Sequence, residues 1–281
     1  MTEQKAFHDS GLRKTGERLV PTDIQRAGDY IQFLRHIFPY HFVEKEIRSL
    51  ANIDRALEVG FGAGYGTPIL AGVCGSVVGI DVEQQTVDHA CKEYAEPNIS
   101  FKLYDGTTIP FDDNSFDIVV SFQVIEHVVD DAHFVGELCR VLKPGGRLYI
   151  STPNRLTRLE PGEKPFNRFH IREYSPDQLK SLLEGRFYKV AMMGISATQE
   201  IHNIEASRVK QGPVLKAISR LGIRKLVPLW LDMMLARALA KSRVESTDDF
   251  RQRYSLDDFR VETVLVDQSL DLFGVCVKQV A

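Results

Sequence analysis

Leu57 to Leu70 reads "LEVGFGAGYGTPIL", with glycines at positions 60, 62, 64 and 66 between an apolar run and a helix-like stretch. Glycines at alternate positions allow positive φ and let the backbone approach a ligand with no Cβ in the way, as loops that cradle a nucleotide require. The dinucleotide fingerprint G-x-G-x-x-G fails: counting from Gly60 puts Tyr65 last, and counting from Gly62 puts Thr67 there. The stretch is Glu58-x-Gly60-x-Gly62-x-Gly64, and an acidic residue at its start suits a ligand that carries positive charge. Two more carboxylates stand where a nucleoside needs them. Asp81 closes "VVGID", at the distance where a carboxylate accepts from ribose hydroxyls, and Asp105 in "LYDGT" is placed to accept from an adenine amino group. His127 in "QVIEHV" and His170 in "FNRFHIREY" are the candidate bases for an acceptor that must lose a proton. A structural His127 that caps the following helix is an equal alternative.

For these residues to meet, the strands before them must end at one edge of one sheet, which is where open α/β sheets bind ligands. β-branched apolar runs recur at 55–60, 76–81, 99–105, 116–124 and 146–152, separated by helix-like stretches such as "QQTVDHACKEYA" and "DAHFVGELCRVL". This alternation predicts a parallel sheet covered by helices on both faces. "KPGG" (143–146) is read as ending the helix, with a new strand beginning at once and the boundary at Leu148, and "SPDQLKSLLEG" predicts a helix with Ser175 as N-cap and Pro176 in its first turn. A strand is expected at 186–196 and a last one in 270–279. Between them, 212–243 combines apolar helical stretches with Lys216, Arg220, Arg224, Lys225, Arg237, Lys241 and Arg243. It reads as a helical cap on the main domain or as a surface that touches a membrane or a lipid-linked substrate. Residues 244–258 are polar and read as a loop with a short helical turn.

The 281 residues, 43% hydrophobic and 26% charged, suffice for one large α/β domain with an elaboration. A formal net charge of -3 gives no global attraction to polyanions, so nucleic acid is not the expected partner. The four cysteines are scattered, with no C-x-x-C and no partnered metal-ligand spacing, as expected of buried thiols in a reducing compartment. With no signal-peptide pattern at the start and no window of spanning length, a cytoplasmic protein is expected.

"LEVGFGAGYG", "GIDVE", "YDGTTIPFDDNSFDIVVSFQVIEHV" and "LCRVLKPGGRLYISTPN" resemble the successive motifs of class I S-adenosylmethionine-dependent methyltransferases, in the branch with ubiquinone-pathway and many sugar or lipid methyltransferases. The match covers residues 50 to 155, and "LDLFGVCVKQ" resembles that family's final strand. The resemblance implies a Rossmann-like doubly wound sheet, mostly parallel with an antiparallel last strand, and S-adenosylmethionine as cofactor. It also implies that Gly60, Gly62 and Gly64 pass under the methionine part, with Glu58 stabilising the loop or the amino group. Asp81 would bind the ribose, Val82 would pack on the adenine, Asp105 and Gly106 would frame the base, and Phe122 and Gln123 would line the methionine and its methyl. In the quinone O-methyltransferases a Glu-x-x-Glu-His pattern is associated with a divalent metal. Gln123 replaces the first Glu here, leaving Glu126 and His127, and no metal is assigned.

The expected organisation is an N-terminal helical lid (1–50), a cofactor-binding core (51–196), a mainly helical insertion (197–269) and a last core strand (270–281). The expected activity is methyl transfer to a small molecule, first to an oxygen of a sugar-containing or lipid-linked acceptor. C-methylation of a quinone-like ring, a non-catalytic cofactor-binding scaffold and an NAD-dependent oxidoreductase are the alternatives.

Overall fold

Eight strands form one sheet in the computed structural model, which describes residues 19–50, 53–165, 167, 169–209 and 247–280. They are β1 (Arg55–Val59), β2 (Ser76–Asp81), β3 (Ile99–Leu103), β4 (Phe116–Phe122), β5 (Leu142–Pro153), β6 (Lys189–Ala197), β7 (Phe259–Glu262) and β8 (Asp271–Val277), in the order β3-β2-β1-β4-β5-β8-β6-β7. The first five pair in parallel, and β8 runs antiparallel to both β5 and β6. β7, antiparallel to β6, is a second reversed strand where only the last was expected. The basic apolar stretch 212–243 lies outside the described residues.

Side-chain alternation explains the layers, because successive residues of a strand face opposite sides. Ala56, Val77, Ile118, Val120, Tyr149 and Phe273 face one side, while Leu57, Val78, Val119, Leu148, Ile150 and Leu272 face the other. The first side is covered by α1 (Ala27–Arg48), α2 (Thr67–Ala71), α7 (Gln199–Val209) and α8 (Thr247–Arg253). α4 (Asp131–Val141) and α6 (Pro176–Glu184) cover the second, and α3 (Gln84–Glu93) packs on Phe61 and Phe101 through Val87 and Ala90. The only other described helix, α5 (Arg155–Arg158), follows β5 directly.

Three local expectations change. From Ala27 on, the segment read as a lid is a core helix, with Ile31, Leu34, Tyr40, Val43 and Ile47 buried against the sheet. The boundary between α4 and β5 lies before "KPGG" and not at Leu148: α4 ends at Val141 and extended pairing starts at Leu142, with a register shift against β4. The polar stretch read as a loop with a short helical turn carries more helix than that, α8 and then a 3-10 turn at Leu256–Asp258 that leads into β7. Ser175 caps α6 as expected, in a capping box with Gln178.

Candidate active site

The glycine run leaves β1 at the carboxyl edge of the sheet, and Gly60 N donates to Ile80 O at 2.8 Å as the chain turns over the end of β2. Gly60, Gly62 and Gly64 have φ of +79°, +59° and +83°. A Cβ on Gly60 would stand 2.4 Å from a Val124 methyl, whereas one on Gly62 would meet nothing within 4 Å. Gly62 therefore faces open space with bare backbone, as a ligand cradle requires. Gly66 has a different reason: its Cβ would lie 2.2 Å from the Tyr40 ring, so it admits α1.

Glu58, buried beneath this loop, accepts from Tyr40 Oη and from Thr67 Oγ1, both at 2.6 Å. It ties α1, β1 and α2 together below the cradle. Burial pushes its carboxyl up to about 7 against the opposing effect of both hydrogen bonds.

Asp81 ends β2 beside the loop, with Oδ2 accepting from Gly62 N at 3.1 Å and Oδ1 from Glu83 N at 3.2 Å. Val82 is 58% exposed, and a Cβ on Gly106 would come within 3.2 Å of it, so the two face each other. Asp105 is exposed, and its Oδ1 accepts from Thr107 N and Thr108 N at 2.8 and 2.9 Å, bonds that hold its carboxyl below the usual range. Phe122 is buried at the end of β4, edge-on to Tyr40 at 4.9 Å and near Phe273. Its ring belongs to the floor under the cradle. Gln123 sits at φ +57°, a strained position for a residue with a side chain, and its Nε2 donates to Ser151 Oγ at 3.2 Å.

Beyond β5, Asp271 at the start of β8 pairs with Arg35 of α1 at 2.8 Å, and Arg35 also pairs with Glu205 of α7. All three are buried. Desolvation raises the carboxyl of Asp271 above its usual value, with Arg35 acting in the opposite direction.

The two histidines meet. Their rings lie edge to face with centroids 4.9 Å apart, and Glu126 joins them, so that one donor atom from each residue lies within 4.8 Å of the other two. The 3-10 turn Ile125–His127 presents Glu126 and His127, while Ile171 N donates to Glu126 O at 2.8 Å and brings the His170 loop alongside. His127 Nδ1 bonds to Phe169 O at 3.0 Å, and His170 Nδ1 to Glu173 Oε1 at 2.8 Å. Carbonyl and carboxylate oxygens only accept, so each Nδ1 carries a proton. Glu126 Oε2 accepts from Thr152 Oγ1 at 2.9 Å.

A Mycolicibacterium smegmatis protein named "Probable S-adenosylmethionine-dependent methyltransferase" is 33% identical over 270 residues, covering 96% of each chain. The chain belongs to the S-adenosylmethionine-dependent methyltransferases. Residues 57–150 of this methyltransferase match the family described as "Methyltransferase domain". A ubiquinone biosynthesis O-methyltransferase of Bradyrhizobium diazoefficiens is 31% identical over 172 residues, 54% of this chain and 66% of that one. A SAM-dependent methyltransferase structure from Thermotoga maritima shares the fold, with a TM-score of 0.54 at 17% identity over 88% of this chain and 93% of that one.

S-adenosylmethionine is the cofactor of this methyltransferase, and the residues fit it: a bare backbone cradle, a carboxylate beside it and an exposed valine facing a glycine. Tyr40 and Thr67, which hold Glu58, carry no sequence signal. Glu173, three residues after His170 in "HIRE", could have been found from that spacing.

Proposed function

We propose that this methyltransferase methylates a hydroxyl oxygen of a small acceptor, sugar-containing or lipid-linked. In this reading Gly60, Gly62 and Gly64 pass under the methionine part, Asp81 takes the ribose, and Val82, Asp105 and Gly106 frame the adenine. Bound S-adenosylmethionine supplies a methyl already activated by its sulfonium charge, so the chain's task is to align the acceptor and exclude water.

The observation that carries the oxygen assignment is the Glu126, His127 and His170 cluster at the carboxyl edge. A hydroxyl needs help to lose its proton, and two imidazoles whose Nδ1 atoms are held by Phe169 O and Glu173 suit that task. Three exposed apolar side chains, Val129, Phe169 and Ile171, flank that cluster and suit an acceptor with an apolar part. The O-methyltransferase relative supports the same choice.

The test is an acceptor screen with methyl-labelled cofactor, followed by NMR of the product. A methoxy signal supports the reading. A new carbon-bound methyl overturns it in favour of ring C-methylation, and cofactor binding without product from a broad extract overturns it in favour of a scaffold.

A further inference from the structure

We infer that a groove on the carboxyl edge, between the first turns of α4 and α6, binds the non-reacting saccharide part of the acceptor. The inference rests on the hydroxyl-transfer reading above and narrows its acceptor to a sugar-containing one.

The groove has a volume of about 630 Å³, within the range of small-molecule sites. β5 and β6 both run antiparallel to β8, so α6, which joins them, starts at the same edge of the sheet as α4 and α5. Three ties fix the walls. Arg155 N donates to Tyr174 O at 2.9 Å, and Tyr174 Oη donates to Asp131 Oδ2 at 2.8 Å. Arg172, paired with Asp131, donates to Val129 O at 2.6 Å. Glu173 belongs to groove and active site at once, since it lines the first while its Oε1 bonds to His170 Nδ1 at 2.8 Å. A molecule lying in the groove therefore extends toward the cluster that handles the acceptor hydroxyl.

Charge decides the class of ligand. The carboxylate of Asp131 is paired with Arg172 and that of Glu173 with Arg158, so neither is left over for a cation. Two charged side chains of the lining have no ion pair among the described residues: half-buried Arg155, and exposed Asp177 in the first turn of α6. They differ in sign, so an anionic ligand would meet Asp177 and a cationic one Arg155. A guanidinium only donates and a carboxylate only accepts, whereas a hydroxyl does both. Neighbouring hydroxyls on one neutral molecule satisfy the two together with no net charge to desolvate. Ser181 adds a hydroxyl to the lining, and Leu182 adds apolar surface for the C–H face of a sugar ring. A lipid chain in the same place would cover Arg155 and Asp177 without hydrogen-bonding either, which costs free energy.

The experiment uses the whole protein saturated with S-adenosylhomocysteine. Neutral tetrasaccharides of glucose, of mannose and of galactose are the probes, with glucose 6-phosphate as the anionic comparison and binding followed by saturation-transfer NMR. At least one tetrasaccharide should bind. Arg155→Gln and Asp177→Asn should each weaken it roughly tenfold or more, because each loses a hydrogen bond to a charged group. Circular dichroism and S-adenosylmethionine affinity of both variants should match wild type, and Ser181→Trp, which fills the groove from its rim, replaces a variant that fails these controls. Binding of no tetrasaccharide, or equal affinity in all folded variants, overturns the inference. Tighter binding of glucose 6-phosphate, lost in Arg155→Gln alone, overturns it in favour of an anion site. A methoxy product on a sugar-free acceptor would then leave hydroxyl transfer standing. Saccharide binding that both variants lose, with only carbon-methylated product, would instead support the groove and overturn hydroxyl transfer.

Discussion

At the scale of the residue, Asp81 binds loop backbone before it binds any ligand, since its two oxygens take the amides of Gly62 and Glu83. Asp81→Ala should therefore weaken S-adenosylmethionine binding by about 1–3 kcal/mol, through lost charge-assisted hydrogen bonds and a loosened cradle. Calorimetry checks this, and unchanged affinity in a folded variant would remove the ribose assignment. Glu58 gives a pH-dependent prediction. Its folded carboxyl titrates near 7 against a usual 4.5, so its contribution to stability is full below 4.5 and lost as pH rises through about 7. Urea melts at pH 5 and pH 8 should show wild type losing stability over that interval, by up to about 3 kcal/mol from this group. Glu58→Gln, which does not ionise, should lack that loss and close the gap to wild type at pH 8. Glycine spacing and the carboxylates at strand ends were legible in the sequence because both follow from the local backbone. The meeting of His127 with His170 was not, because it depends on a loop folding back so that Ile171 N reaches Glu126 O.

At the scale of the element, the glycine loop and α1 separate two kinds of glycine. Gly66→Ala drives a methyl into the Tyr40 ring and should cost at least about 2 kcal/mol of stability, read in the melting temperature. Gly62→Ala meets no protein atom and should cost about 1 kcal/mol from its positive φ, while lowering cofactor affinity by a larger factor. Equal effects on affinity would mean that Gly62 does not face the cofactor. β1, β2 and β4 were readable as apolar runs buried on both faces. β7 escaped notice because four residues, "FRVE", give too little alternation to register. α1 was not recognised as core because its buried face includes Gln32, Arg35 and His36 among the apolar residues, which blurs the hydrophobic stripe.

At the scale of the whole molecule, the buried set Arg35, Glu205 and Asp271 joins α1, α7 and β8, three elements far apart in the chain. Glu205 keeps a second partner in Arg208, but Arg35→Ala takes the paired cation from buried Asp271, so it should cost about 3–5 kcal/mol. Denaturant melts should show it, with fluorescence and circular dichroism transitions still coincident, because the N-terminal helix unfolds with the sheet. Separate transitions would restore the idea of a lid. The sequence order of the first five strands was legible, but this long-range pairing was not, since charge complementarity between distant buried residues has no periodic signature. The place of β8 has a consequence during synthesis. It is the last of the described strands, yet it fits between β5 and β6, which both precede it. Until residues 271–277 leave the ribosome, β5 and β6 each present an unpaired edge, and Arg35 awaits Asp271. The nascent protein therefore offers two edges to strand addition by other chains until β8 has been made.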